Sequence, residues 1–198
     1  MLAVMRPVAL ATAAVLSMGF FQGAAAEQSK GELLFETCRG CHGIPGYKNN
    51  YPTYKVPMLG GQSEQYIVDA LNAYKNGTRK HETMHAQASS LSTDDMRAIA
   101  SYLSAATEVS SETTGKAPAA AAACSACHGP NGKAIAPNFP SLAGQHADYL
   151  AFSLKRYRSG ERNNAIMAGF ASNLDDDTIK GLAAYFSSQR DGLTTVER

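Results

Sequence analysis

The sequence predicts an all-α protein composed of two similar helical domains. Three observations support this: the second half repeats the first at an offset of 83 positions, apolar residues recur at helical spacing in both copies, and no alternating pattern indicates a strand. A single folding unit is therefore used twice. The predicted boundaries are 27–105 for the first domain, 106–118 for a linker rich in Ser, Thr, Ala and Gly, and 119–198 for the second domain.

The two halves match residue by residue over most of their length. The loop 47–56 of the first copy holds three extra residues, because the motifs that begin at Cys38 and Cys124 are 86 positions apart. The matched pairs include Pro57 with Pro140, Leu59 with Leu142, Gly61 with Gly144, Gln62 with Gln145, Tyr66 with Tyr149, Tyr74 with Tyr157, Gly77 with Gly160, Arg79 with Arg162, Met84 with Met167 and Tyr102 with Tyr185. Each copy is expected to fold around its own core.

Apolar residues at helical spacing place the helices of each copy. A stripe over 66–74 ends before Gly77, a residue that commonly closes a helix. A second helix opens with Ser92 and Asp95 at the spacing of a capping box. The second copy repeats both patterns. A further short helix is predicted in each copy, at 33–37 and at 119–123, which makes three helices per domain.

Both copies carry a CxxCH motif, and the two motifs contain all four cysteines of the chain. Two thiols three positions apart can add across the vinyl groups of one porphyrin, and the next histidine is then held against the iron. Two disulfides or a four-cysteine zinc site are the alternatives, but zinc sites separate their CxxC pairs by about 15 to 20 residues. The motifs predict two haem c groups, attached at Cys38, Cys41, Cys124 and Cys127, with His42 and His128 as axial ligands.

The second axial ligand of each iron determines what the haem can do. Met84 and Met167 are matched by the repeat and lie 42 and 39 residues after His42 and His128, a difference equal to the loop insertion. We predict that both methionines are ligands. A thioether favours ferrous iron and raises the potential. With both axial positions filled, no iron is open to a substrate, and electron transfer is the function that remains.

Other methionines and histidines are expected to have structural roles. Met58 and Met96 lack methionine counterparts in the repeat and are expected to pack in the core. His81, His85 and His146 lack histidine counterparts and are expected at the surface. His85 adjoins Met84, however, and remains the alternative ligand that would give a bis-histidine first haem.

The haem surroundings lead to two further expectations. Each ligating histidine needs an acceptor for its second ring N–H, and the carbonyls of Pro52 and Pro137 are candidates, with an ordinary role in a loop turn as the alternative. Arg79 and Arg162 recur just before the methionines and are candidates for pairing with haem propionates. A basic cluster found only in the second copy is expected to be solvated or to form part of a docking face, and it comprises Lys155, Arg156 and Arg158.

Residues 1–26 have the pattern of a secretory signal, with Arg6, an apolar run over 8–21 and small residues up to Ala26. The alternative is an uncleaved anchor, but the run is shorter than the roughly 20 residues that a spanning helix needs. A periplasmic location is expected. Removal of Arg6 from the 18 basic side chains leaves 17, which equals the 17 acidic ones, so no basic face for nucleic acid is expected.

Taken together, these motifs resemble the dihaem cytochrome c4 family over essentially the whole mature chain. The resemblance rests on Cys-His-Gly at 41–43 and 127–129, Pro-x-Leu-x-Gly-Gln at 57–62 and 140–145, Gly-x-Arg-x4-Met ending at Met84 and Met167, and the closing helices at Tyr102 and Tyr185. It implies two tandem cytochrome c-like helical domains, each wrapped around one covalently bound haem. It also implies periplasmic electron shuttling, often toward a terminal oxidase, with the haems close at an interdomain interface.

The expected function is therefore a periplasmic electron carrier between a quinol-oxidising complex and a terminal oxidase. No catalytic residue, small-molecule substrate or nucleic-acid partner is expected. Two alternatives stay open: a small dihaem enzyme of the peroxidase or thiosulfate-oxidising type, which would need an open iron, and a dedicated haem subunit of a dehydrogenase. The sequence also leaves peripheral association with a membrane open.

Overall fold

A computed structural model describes the backbone of residues 19–197 and the side chains of residues 30–197. The predicted signal segment lies largely outside the described residues, and its expected cleavage site after Ala26 falls within the first helix. No helix in the described part of the chain is long and apolar enough to cross a membrane. The elements are α1 (Gly19–His42), β1 (Lys48–Asn50), β2 (Thr53–Lys55), α2 (Glu64–Lys75), α3 (Glu82–Ser89), α4 (Thr93–Ser104), α5 (Ala121–His128), α6 (Ala147–Arg158), α7 (Ala165–Ala171) and α8 (Asp176–Ser187).

The fold is mostly helical, as predicted, but each copy has four helices rather than three. The additional helices, α3 and α7, have eight and seven residues and are too short to show a clear helical periodicity. The predicted capping box at the start of α4 is present, with Ser92 and Asp95 bonding each other's backbone. Gly77 follows α2 with a φ of 77°, a conformation that favours glycine.

The loop insertion of the first copy forms a β-hairpin that the sequence did not predict. Strands β1 and β2 pair antiparallel, with Lys48 opposite Lys55, and the N–H of Val56 donates to the carbonyl of Tyr47 at 2.8 Å. Strands of three residues are too short for an alternating pattern to be recognised. The hairpin packs against α6 and so links the first copy to the second.

Each copy has a small hydrophobic core of its own. In the first, α1, α2 and α4 bury Phe35, Ile67, Met96 and Leu103. In the second, the residue matched to Phe35 by the CxxCH alignment is Ala121, which is also fully buried. The first helix of the second copy can therefore approach its neighbours more closely but buries less apolar surface.

The interface between the copies is formed by matched residues of the repeat. The side chain of Gln62 donates from Nε2 to the carbonyl of Ser141 at 3.0 Å and accepts from the N–H of Ser141 at 2.8 Å. Gln145 donates to the carbonyl of Met58 at 2.9 Å and accepts from the N–H of Met58 at 3.0 Å. Because Met58 and Ser141 are repeat partners, the contact is reciprocal, as in a two-fold symmetric dimer.

The predicted linker and the C-terminal segment both pack closely against the folded core. Val109 is buried against Ala143 and Leu193, whereas the linker residues 111–113 are exposed. The C-terminal segment returns to the first copy, where Thr194 pairs with Gly60 and Arg39 donates to the carbonyl of Glu197 at 2.6 Å. The ends of the second copy therefore help to hold the first.

Candidate haem sites

One cavity of about 780 Å³ extends across the interface between the two copies. The structure thus brings the two CxxCH motifs and the two matched methionines to one place. All eight sequence-predicted haem-binding side chains line this cavity: Cys38, Cys41, His42, Met84, Cys124, Cys127, His128 and Met167. The cavity lies where the family resemblance implies neighbouring haems.

The CxxCH motifs lie at the last turns of α1 and α5. None of their four cysteines is paired in a disulfide, and the described residues contain no cluster of three or more His, Cys, Asp or Glu side chains able to hold a metal ion. The disulfide and four-cysteine zinc alternatives therefore find no support in this geometry.

The rings of His42 and His128 are held in the same way. Each Nδ1–H donates to a proline carbonyl, that of Pro57 at 2.9 Å and that of Pro140 at 2.8 Å. This leaves Nε2 of each ring as the nitrogen able to bind iron. Burial is the main cause that lowers the pKa of both histidines, and a neutral ring is the form that ligates a metal.

The predicted acceptors, Pro52 and Pro137, were wrong. The carbonyl of Pro52 lies in the hairpin turn and accepts from Asn49 at 3.0 Å. The carbonyl of Pro137 accepts from the hydroxyl of Ser63 across the interface. The real acceptors, Pro57 and Pro140, are repeat partners, and this pairing was the available signal.

Met84 and Met167 lie in the first turns of α3 and α7. In each helix the residue three positions earlier is the N-cap: His81 Nδ1 accepts from the N–H of Met84 at 3.3 Å, and Asn164 Oδ1 accepts from the N–H of Met167 at 3.0 Å. The caps hold the backbone of each methionine at the start of its helix.

The remaining methionines and histidines behave largely as expected. Met96 is buried in the core, and Met58 packs beside the Val109 cluster. His85 is exposed, does not line the cavity and donates to the carbonyl of Tyr74 at 2.8 Å, so the bis-histidine alternative has no geometric support. His81 differs from the expected surface residue. Burial, together with Arg156 and Arg79, lowers its pKa, so its ring is neutral.

Arg79 and Arg162 reach across the interface in a reciprocal arrangement. Arg79 donates to the hydroxyl of Tyr149 at 2.8 Å, and Arg162 donates to the hydroxyl of Tyr66 at 3.1 Å. Each guanidinium also lies 4.5 Å from the ring centre of a tyrosine in its own copy, Tyr74 or Tyr157. Both arginines line the cavity, so their charges face the space that the haems require.

This cluster is cationic. Among the side chains that the structure describes, no carboxylate forms an ion pair with Arg79 or Arg162. Burial alone would raise the pKa of Tyr149, but the two guanidiniums outweigh it and lower that pKa to about 8. A pair of arginines without carboxylate partners fits the propionates of a bound haem.

By contrast, the basic cluster of α6 is paired with two carboxylates of the second copy. Lys155 and Arg158 both pair with Asp176 at 2.7 Å, and Arg156 pairs with Glu161 at 3.1 Å. These ion pairs leave little free positive charge for an acidic partner. The expectation of a docking face at these residues is therefore not supported.

Two matched helices that end in CxxCH motifs, both facing one cavity with their histidine rings fixed, define a c-type cytochrome with two haems. Residues 28–107 and 113–190 each match the cytochrome c family. The chain belongs to the cytochrome c4 family and carries two covalently bound haem c groups.

Relatives and solved structures agree on this family. Cytochrome c4 of Pseudomonas aeruginosa is 32% identical over 180 residues, which cover 82% of this chain and 88% of that protein. The thiosulfate dehydrogenase electron acceptor of Thiomonas intermedia is 30% identical, covering 77% and 78%. The structure of cytochrome c4 from Acidithiobacillus ferrooxidans aligns with a TM-score of 0.64 at 32% identity, covering 78% of this chain and 99% of that one.

A thiosulfate dehydrogenase, TsdBA from Marichromatium purpuratum, aligns equally well in structure. Its TM-score is 0.64 at 28% identity, and the match covers 81% of this chain but 40% of that one. The shared fold therefore accounts for less than half of that protein.

Proposed function

We propose that this dihaem electron-transfer protein is a periplasmic carrier in which both irons are closed by one histidine and one methionine. The observation that carries the proposal is the single cavity lined by both histidines and both matched methionines. A neutral thioether as the sixth ligand favours ferrous iron, which suits a carrier of fairly high potential. No catalytic residue is needed for this role.

In this proposal the chain's own residues attach, orient and shield the cofactor. Cys38, Cys41, Cys124 and Cys127 form the thioether bonds, and the carbonyls of Pro57 and Pro140 hold the ligating histidines in one tautomer. When bound, haem supplies one-electron chemistry. The common cavity supports direct electron passage between the two domains.

We infer that Arg79 and Arg162 hold haem propionates at the interface. Both guanidiniums line the cavity without a carboxylate partner among the described side chains. Charge-assisted bonds to carboxylates are strong where water is excluded. Such bonds would attach each haem to the interface as well as to its own CxxCH motif.

The partners in this proposal are redox proteins, with a quinol-oxidising complex as donor and a terminal oxidase as acceptor. A thiosulfate dehydrogenase is a second candidate donor, because one relative is named as the electron acceptor of such an enzyme. That role is also a carrier role and needs no open iron in this chain. A dedicated haem subunit would use the same site.

Replacing either Met84 or Met167 by alanine should remove about half of the near-infrared Met-to-iron charge-transfer absorbance of the oxidised protein. Each variant removes one of two thioether ligands, and the potential of the affected haem should fall. Met58→Ala is the matched control and should keep the full band. If Met84→Ala also kept the full band, the assignment of Met84 would be wrong.

Binding of carbon monoxide to the reduced protein distinguishes an electron carrier from an enzyme. The reduced protein should bind the gas slowly and incompletely at both haems, because both axial positions are filled. Met84→Ala opens one position, and this variant should bind one equivalent readily in the Soret spectrum. Rapid binding of one equivalent by the unmodified protein would favour a small dihaem enzyme instead.

A further inference from the structure

We propose that Tyr54 and His81 form a link through which the second domain holds the Met84 segment, so that ligation of the first haem depends on this link and that of the second does not. The inference rests on the proposed ligand role of Met84. It concerns positioning residues, because neither side chain is a ligand in the proposed site.

His81 is held at both ring nitrogens. Because Nδ1 accepts the N–H of Met84, Nε2 carries the proton and donates to the hydroxyl of Tyr54 at 3.1 Å. The ring also contacts Tyr74 edge-on, with centres 6.3 Å apart. The imidazole therefore joins the start of α3 to the inserted hairpin.

Tyr54 is in turn held by the second domain. Its side chain is 5% exposed, and its ring stacks on Phe152 of α6 with centres 4.2 Å apart and planes inclined by 17°. The next residue, Lys55, donates its backbone N–H to Asp148 at 3.1 Å. The hairpin thus reaches from α3 to α6.

A second contact from α6 reaches the same segment. Arg156 donates to the carbonyl of Lys80 at 3.3 Å, directly before His81, and its guanidinium lies 5.4 Å from the ring centre of Phe152. Two side chains of α6 therefore hold the segment before α3: Arg156 contacts it directly, and Phe152 contacts it through Tyr54. Met84 belongs to the first turn of α3.

The second copy lacks this link. Asn164, the counterpart of His81, caps α7 through the N–H of Met167, and among the described residues it has no hydrogen bond to the first domain. The three-residue insertion that creates the hairpin is also absent from the second copy. The two sites match in their ligands but differ in what holds the methionine.

The test uses the full-length dihaem protein with three main variants, and His81→Ala and Met84→Ala serve as references. Tyr54→Phe removes the hydroxyl and keeps the stacked ring. His81→Asn installs the cap of the second copy, which keeps the bond to Met84 but cannot reach Tyr54 in the same way. Tyr51→Phe is the matched control for the amide exchange of Met84: Tyr51 lies in the same hairpin and is 95% exposed, although it also lines the cavity.

We expect Tyr54→Phe and His81→Asn to shift the NMR signal of the iron-bound Met84 methyl group and the potential of the first haem. The Met167 signal should not move, and it reports in the same molecule that the variant is folded. Amide exchange of Met84 should accelerate about five-fold in Tyr54→Phe, the factor for one hydrogen bond of ordinary strength. Tyr51→Phe should leave the amide exchange of Met84 unchanged.

Two outcomes would overturn the link. Unchanged Met84 signals and exchange in Tyr54→Phe and His81→Asn, with an effect only in His81→Ala, would mean that His81 is a local cap and nothing more. Equal shifts of potential at both haems would mean that the link does not act on the first haem alone. Loss of the methyl signal in Met84→Ala assigns that signal to Met84. If Met84 is not a ligand, the signal will not be lost in this variant, and the proposed function fails separately. The amide exchange of Met84 tests the link in either case.

Discussion

Replacing Cys124 and Cys127 by serine should yield a chain that carries one haem instead of two. A serine hydroxyl does not form the thioether bond, and the core of the second copy, with Ala121 in place of a large side chain, offers a free haem less apolar surface than the first. Intact mass and the pyridine haemochrome absorbance per chain should both report this loss. The absorbance should fall by about half.

The reciprocal variant provides the control for haem count. Cys38→Ser with Cys41→Ser should remove the other haem and leave the one at His128. If either double variant kept two covalent haems, the attachment sites would lie elsewhere in the chain. Loss of both haems from one double variant would instead show that maturation of the domains is coupled.

Replacing Phe35 by alanine should lower the free energy of unfolding of the first domain by about 3–5 kcal/mol. Phe35 is fully buried, packs at 5.8 Å from the ring of Tyr102 and lies beneath the guanidinium of Arg39. Its removal leaves a void at the junction of α1 and α4. Denaturant unfolding followed by helical circular dichroism measures the change.

Leu33 is the matched control for this substitution. It lies two residues away on α1, near the opposite face of the helix, and is 72% exposed, so Leu33→Ala should change stability by less than about 0.5 kcal/mol. A large effect of Leu33→Ala would mean that this face of α1 is covered in the folded protein. A small effect of Phe35→Ala would mean that the site can collapse around the void.

Much of the haem site could be predicted because its chemistry is local in sequence. The CxxCH residues lie within one helical turn, so their order alone brings the thiols and the histidine together. The repeat also predicted that Met84 and Met167 belong to the sites, and the structure places both in the cavity. The short helices that carry them were missed, since seven or eight residues offer too little periodicity.

The contacts of the ligands could not be predicted in this way. The bond from His42 to Pro57 spans the inserted loop, and the prediction chose the proline inside that loop. The hairpin carried no alternating signal, yet it supplies Tyr54 to His81. His81 looked like a surface residue because its counterpart is not a histidine, although Asn164 does the same capping.

The sequence by itself determined that this protein attaches two haems in two copies of one helical unit, since thioether chemistry and repetition depend only on the order of residues. The tertiary structure decided how the copies meet: the exchange between Gln62 and Gln145, the crossing of Arg79 to Tyr149, and the link from His81 to α6. These contacts join residues far apart in the chain. Their geometry depends on how whole helices pack, which a repeat in the sequence does not specify.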